Sequence, residues 1–240
     1  MPNPTAAMLV IGDEILSGRT RDANMHHLAK VLTGRGIDLR EVRVVSDDPG
    51  AITNAVKTLS DTYDHLFTSG GIGPTHDDIT ADNVARAFDT PIDVRDDARA
   101  LLAAHYEKGG QTLNDARLRM ARIPEGATLI DNPVSIAPGF TLGNVHVMAG
   151  VPRIFEAMLE SVLPSITGGS PVLSQTLQIM RPEGDIAGPL AELAKRYPDL
   201  SMGSYPFQRE GAFGANVVLR GPDPERLDAA MAELRKAFPE

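Results

Sequence analysis

Thr68-Ser69-Gly70-Gly71-Ile72-Gly73-Pro74-Thr75-His76-Asp77-Asp78-Ile79-Thr80 decides the reading of this chain. An apolar run, His65-Leu66-Phe67, stands before it with the look of a buried strand, and Val84, Ala87 and Phe88 follow at helical spacing. The stretch is therefore a strand-to-helix loop. Its three glycines allow sharp turning and leave backbone N–H groups uncovered by side chains, so an anion can approach the positive end of the next helix. The two aspartates just beyond would repel a bare phosphate, which calls for a cation between them and it. A metal-bridged phosphoryl group is the expected ligand.

The elements around this loop set the fold class. Upstream, Ala6 to Ile11 reads as a buried strand, and Gly12-Asp13-Glu14-Ile15-Leu16-Ser17-Gly18 as the loop at its end. Asp22 caps a helix with Met25, Leu28, Ala29 and Leu32 inward. Ile37 to Val45 returns as a strand, and Ser46-Asp47-Asp48-Pro49 opens a helix carrying Ile52, Ala55, Val56 and Leu59. This βαβαβα order predicts a mostly parallel sheet with helices on both faces.

Downstream, residues 93 to 122 have a helical pattern, and 127–130, 136–142 and 145–149 read as strands, the last two closed by a Gly143-Asn144 hairpin turn. Gly150-Val151-Pro152 opens a helix with Phe155, Met158, Leu159 and Val162 inward. Thr167 to Pro171 has the composition of a boundary, which divides the chain into residues 1–168 and a small βαββα subdomain, 169–240.

Composition narrows the chemistry. At 240 residues with 42% apolar content and no run long enough to span a bilayer, the chain is expected to fold as a large and a small unit. Cysteine is absent, which excludes disulfides, thiolate metal sites and cysteine nucleophiles. No basic or apolar leader precedes the first strand, so the expected location is the cytoplasm. Net charge is −9 without a basic run, which argues against a nucleic-acid partner. Residues 61 to 100 concentrate nine acids against three bases, a field that either solubilises one face or gathers divalent cations.

Ligands of a wound parallel sheet bind beyond the carboxyl ends of its strands. Four loops are expected there: Gly12 to Gly18, Ser46 to Asp48, Ser69 to Asp78, and Ala149 to Pro152. Between them they bring Asp13, Glu14, Asp47, Asp77 and Asp78, oxygen donors suited to magnesium or manganese bridging phosphate. Each acid has a plainer reading. Asp78 or Thr80 serves equally as a helix cap, and Asp47 with Asp48 before Pro49 as an ordinary helix start. Asp13 and Glu14 are harder to explain by folding, because acids directly after a buried strand cost desolvation. His26 and His27 read as surface residues, His146 as structural, and His76 as a residue within reach of a phosphate. The P-loop, nucleophile-elbow and dinucleotide glycine motifs are missing, so the phosphate loop is of another kind.

The segments Gly12 to Gly18, Asn24, Val44 to Asp48, Ser69 to Thr80, Pro138-Gly139-Phe140 and Ala149-Gly150-Val151-Pro152 resemble the N-terminal domain of competence/damage-inducible protein A, CinA. Gly203-Ser204-Tyr205-Pro206 is similar to the subdomain that follows it in those proteins. That domain belongs to the molybdopterin-binding superfamily, with the molybdopterin adenylyltransferases and the N-terminal domain of eukaryotic FAD synthetase. The resemblance implies a three-layer αβα fold and a homo-oligomer. It implies metal-dependent hydrolysis of a nucleoside diphosphate compound such as ADP-ribose, giving AMP and ribose 5-phosphate. Under it Asp47, Asp77 and Asp78 are catalytic, and Asp13, Glu14, Asp47 and Asp78 are candidates to hold magnesium, manganese or cobalt. Ser69, Gly70, Gly71, Gly73, Thr75, Thr80, Gly150 and Pro152 contact phosphate or nucleotide. Two other functions stay open: handling of molybdopterin, and nucleotide binding without turnover.

Overall fold

A computed structural model describes residues 2–209 and 211–239. The backbone divides into two compact units, one running to Gly169 and the other starting at Ser170.

In chain order the first unit contains β1 (Thr5–Ile11), α1 (Asp13–Leu16), α2 (Asn24–Gly34), β2 (Asp38–Val45), α3 (Pro49–Thr62), β3 (His65–Ser69) and α4 (Thr80–Ala87). There follow β4 (Ile92–Val94), α5 (Asp96–Lys108), α6 (Asp115–Leu118), β5 (Arg122–Pro124), β6 (Thr128–Ile130), β7 (Gly139–Leu142), β8 (Val145–Met148) and α7 (Pro152–Val162). The sheet has six strands in the order β2-β1-β3-β8-β7-β6. β2, β1, β3 and β8 run parallel, and β7 is antiparallel to both of its neighbours. The three-layer αβα reading therefore holds, and the carboxyl ends of four strands share one edge.

Side-chain alternation along β1 explains why both faces are covered. Ala7, Leu9 and Ile11 join one core with Ile52, Val56 and Leu59 of α3, while Ala6, Met8 and Val10 join the other with Leu28 and Leu32 of α2 and Phe155 and Leu159 of α7. A strand at or below 3% exposure over Ala6 to Ile11 must be apolar on both sides, which is why it reads as a continuous run.

Two expectations need correction. The two helical runs expected between 93 and 122, parted at Gly109-Gly110, form, but the short strands at either end of the segment were not expected. α5 and the short α6 are bracketed by β4 and β5, which pair antiparallel through Ile92 with Pro124 and Val94 with Arg122. Strands of three residues carry too little periodicity to be told from a helix end. The strand expected from 136 begins only at Gly139, because Asn132 folds the preceding residues into a turn. Its Oδ1 accepts the N–H groups of Val134 and Ser135, its Nδ2 donates to the Ala137 carbonyl, and Ile136 adopts φ 69°.

The second unit is a βαββα arrangement of β9 (Leu173–Ile179), α8 (Glu183–Arg196), β10 (Ser201–Arg209), β11 (Ala212–Gly221) and α9 (Pro224–Ala237). Its antiparallel sheet has the order β10-β11-β9. Ile186, Leu193, Leu227, Met231 and Leu234 from the helices close over Ile179, Val217 and Leu219. Asp223 accepts from the N–H groups of Glu225 and Arg226, capping α9 as its sequence predicts.

His146 is structural. It is 4% exposed, its Nδ1 lies 3.0 Å from Thr141 Oγ1 and its Nε2 3.4 Å from His65 Nδ1. Burial, with a smaller contribution from the His65 charge, depresses its pKa from 6.5 to about 3, and burial also lowers that of His65. Below pH 6.5 the unfolded chain therefore takes protons that the folded chain refuses, so stability is full above that pH and is lost as pH falls toward 3. We expect urea unfolding to show a decline on acidification from pH 7 to 5 of up to about 1.4 kcal/mol per pH unit for each histidine. His146→Leu should make that slope shallower by about one proton; an unchanged slope would assign the acid sensitivity elsewhere.

Candidate phosphate-binding cleft

The glycine loop leaves β3 between the ends of β1 and β8, and glycine is required there chiefly by close packing. At Gly70, φ +108°, a Cβ would overlap the Ile11 carbonyl oxygen, and at Gly150 a Cβ would stand 3.3 Å from Gly70 Cα. Three strand ends thus meet backbone to backbone. Thr80, fully buried at the start of α4, fixes the loop from below: its hydroxyl donates to the Gly70 carbonyl at 3.0 Å and its N–H to the Gly71 carbonyl at 3.0 Å. The Gly70 N–H continues the sheet by donating to the Met148 carbonyl. Among the described residues nothing in the protein accepts from the N–H groups of Gly71, Ile72 and Gly73. All three residues line a cleft of about 520 Å³.

The cleft's other walls come from Glu14 and Thr20 after β1, from Ala149 to Pro152 after β8, and from the Asn132 turn through Asn132, Ser135 and Ala137. Ile72, Met120, Val151 and Ile154 give it apolar surface. Asp78 also stands in the wall. It accepts from both the N–H and the hydroxyl of Thr75, closing a tight turn, and its Oδ2 faces Gly73 so closely that a Cβ there would come within 2.6 Å. It does not cap α4, whose N-terminal residue Ile79 makes no side-chain cap.

Of the acids predicted for the site, Glu14 and Asp78 face the cleft, whereas Asp13, Asp47 and Asp77 lie outside its wall. Asp47 is tied to the neighbouring loop, its Oδ2 accepting the Asp13 N–H at 3.0 Å. Asp48, not Asp47, caps α3 by accepting the Ala51 N–H at 2.8 Å. The Asp47 carboxyl is held above the usual carboxylate range, first by burial and then by the negative charges of Asp13, Glu14 and Asp77, against the opposing Asp13 N–H. Asp77 and His76 are exposed at the loop tip, 3.9 Å apart. Among the described residues no three histidine, aspartate or glutamate side chains converge as a metal cage. Glu14, Asp47 and Asp78 are oxygen donors of the type a hard cation takes, and a cation beside Asp47 would offset the negative charges of Asp13, Glu14 and Asp77.

The phosphate contacts predicted from the sequence divide likewise. Gly70, Gly71, Gly73, Gly150 and Pro152 line the cleft, while Thr75 and Thr80 spend their hydroxyls shaping the loop. Ser69 is 2% exposed and belongs to a smaller neighbouring cavity. The sequence reading missed two contributors. The Asn132 turn carries the signal of Asn spaced before Ser135. Arg119, whose Nη2 donates to the Asp78 carbonyl at 3.3 Å behind the loop, could have been noticed only as an isolated base.

The first unit is an αβα domain with loop N–H groups that no described residue engages, set between acidic strand ends. Residues 7–168 match the family model described as a probable molybdopterin binding domain, and the chain belongs to that family. Residues 171–240 match the FAD synthase middle domain. The crystal structure of a CinA protein of unknown function from Thermoplasma acidophilum is 35% identical, with a TM-score of 0.63 over 68% of this chain and 97% of that one. A probable FAD synthase of Caenorhabditis elegans is 32% identical across 97% of this chain, which spans 49% of that protein. A protein from Archaeoglobus fulgidus is 31% identical over 95% of this chain and 96% of its own length. The chain is thus a CinA-like member of the molybdopterin-binding superfamily, whose residues 171–240 are similar to the FAD synthase middle domain.

The loop geometry can be tested without a ligand. Thr80→Val removes the donor to a buried carbonyl and should cost about 1–3 kcal/mol in urea unfolding, while Thr80→Ser should recover most of it. Equal stability of the two variants would mean that the hydroxyl does not hold the loop.

Proposed function

We propose that this protein binds a diphosphate-bridged nucleotide in the 520 Å³ cleft and hydrolyses it, with ADP-ribose or an adenine dinucleotide such as FAD as substrate. The observation that carries this reading is the run of N–H groups at Gly71, Ile72 and Gly73 that no described residue engages, in residues lining a cleft whose acids would otherwise repel phosphate. The similarity to a probable FAD synthase and to the FAD synthase middle domain supports a substrate of this class.

In this mechanism the loop N–H groups grip the diphosphate and hold one phosphorus for in-line attack by water. Glu14, in the wall, and Asp47, outside it but near enough to feel the Glu14 charge, would hold a divalent cation, which would supply charge neutralisation and polarise the phosphoryl oxygens. Glu14, the acid in the wall beside the loop, also accepts a hydrogen bond from the attacking water and orients it. Asp77, exposed outside the wall, is not given that task. Asp78 keeps the loop turned through Thr75. The water oxygen joins one phosphorus, the P–O bond of the bridge breaks, and ADP-ribose yields AMP and ribose 5-phosphate.

A second reading, binding of molybdopterin, is favoured by the description of the family model and by the apolar wall of Ile72, Met120, Val151 and Ile154, against which a pterin ring would pack. The two readings separate on one assay. Purified protein should release AMP from ADP-ribose or FAD with magnesium, manganese or cobalt and not with chelator, and Asp47→Asn or Glu14→Gln should lower turnover at least tenfold without loss of fold. Because the Asp47 carboxyl is raised in the metal-free protein, the metal concentration needed for half-maximal rate should rise on acidification, beginning above the usual carboxylate range. No turnover with any metal, beside saturable pterin binding, would transfer the assignment to the second reading.

A further inference from the structure

Beside the main cleft lies a smaller cavity of about 50 Å³, between the start of α2 and the ends of β1, β3 and β8. Asn24, Ser69, Glu14, Thr20 and Gly150 contribute to its lining. Glu14, Thr20, Gly150 and Pro152 line the larger cleft too, so the two spaces adjoin.

Asn24 is 2% exposed. Its Nδ2 donates to Ser69 Oγ at 2.8 Å and to the Gly150 carbonyl at 2.8 Å, using both amide hydrogens. A carbonyl oxygen only accepts, so the Gly150 contact fixes which end of the amide is nitrogen. The remaining atom, Oδ1, is buried and has no partner among the described residues. An amide oxygen shut away from water is costly, and buried acceptors nearly always have a donor. Ser69 is complementary. Its oxygen already accepts from Asn24, and its own proton is committed to no acceptor among the described residues. Asn24 and Ser69 both line this cavity, the one bringing an unmet acceptor, Oδ1, and the other an uncommitted donor, Oγ–H, next to Gly70.

We propose that this cavity is a sugar-hydroxyl subsite, in which one ribose hydroxyl of the nucleotide donates to Asn24 Oδ1 and accepts from Ser69. A hydroxyl is the group that satisfies both. The space is too small for a base ring, and Ser69 adjoins the loop that would hold the diphosphate, so the group reaching it is the sugar attached to that diphosphate. The inference rests on the diphosphate reading of the main cleft and adds a second, separable point of recognition.

The test is calorimetric titration in magnesium with four probes: pyrophosphate, ADP, 2′-deoxy-ADP and 3′-deoxy-ADP. Wild-type protein should bind one deoxy compound about tenfold more weakly than ADP, the size of one hydrogen bond to a buried acceptor. In Asn24→Ala, ADP should fall to the affinity of that deoxy compound, discrimination should vanish, and pyrophosphate affinity should stay within about twofold. Ser69→Ala, which leaves the Gly150 contact of Asn24 in place, should reduce the same discrimination and serves if Asn24→Ala does not fold. If Asn24 merely ties the loops together, Asn24→Ala will weaken ADP and both deoxy compounds alike, and the subsite is overturned. Equal binding of ADP and its deoxy forms by wild type, with pyrophosphate bound, would also remove the subsite while leaving the diphosphate reading intact. Failure of wild type to bind pyrophosphate and ADP would sink both.

Discussion

The close approach of Gly70 to the Ile11 carbonyl and to Gly150 is the constraint on which the cleft depends. A Cβ at Gly70 would overlap the Ile11 carbonyl, so that position admits only glycine, and a Cβ at Gly150 would press on Gly70 where the ends of β1, β3 and β8 share one edge. Thr80 completes the arrangement from the first turn of α4 with two hydrogen bonds to successive loop carbonyls. The carbonyls of Gly70 and Gly71 are thereby engaged, and the N–H groups of the three residues from Gly71 stay free. An anion cradle follows from how the loop is tied down as much as from its glycine content.

The order β2-β1-β3 places the switch of chain direction next to this loop. From β1 the chain passes to β2 on one side through α2, and from β2 it returns through α3 to β3 on the other side. The connections leave opposite faces, as the two cores show by dividing the side chains of β1 between them. A crevice at the carboxyl ends is the geometric result. Acids stand around the cleft, and the Asp47 carboxyl beside it is raised first by burial and then by the charges of Asp13, Glu14 and Asp77.

Much of the fold was legible because the long elements are strongly periodic. β1, α2, α3 and the final helix fill whole faces, and their apolar spacing has one interpretation. β4 and β5 were missed because three residues hold no period, and the pairing of Ile92 with Pro124 is made across a gap that local pattern does not span. For the site, the glycine loop and Glu14 announced themselves by residue type. The Asn132 turn and Arg119 did not, since the fold alone brings the turn to the cleft wall and sets Arg119 against the Asp78 carbonyl behind the loop.

By itself the sequence determined the αβα class, the loop that interrupts it after Ser69 and the family to which these belong, since composition and spacing act locally and are written in order. Only the tertiary structure decided how the acids divide. Glu14 and Asp78 face the cleft, Asp47 binds the Asp13 N–H, Asp48 caps a helix and Asp77 stays in solvent. Five carboxylates near strand ends look alike on paper. Which of them meets a ligand depends on the direction in which each loop turns, and that direction is set by packing between segments far apart in the chain.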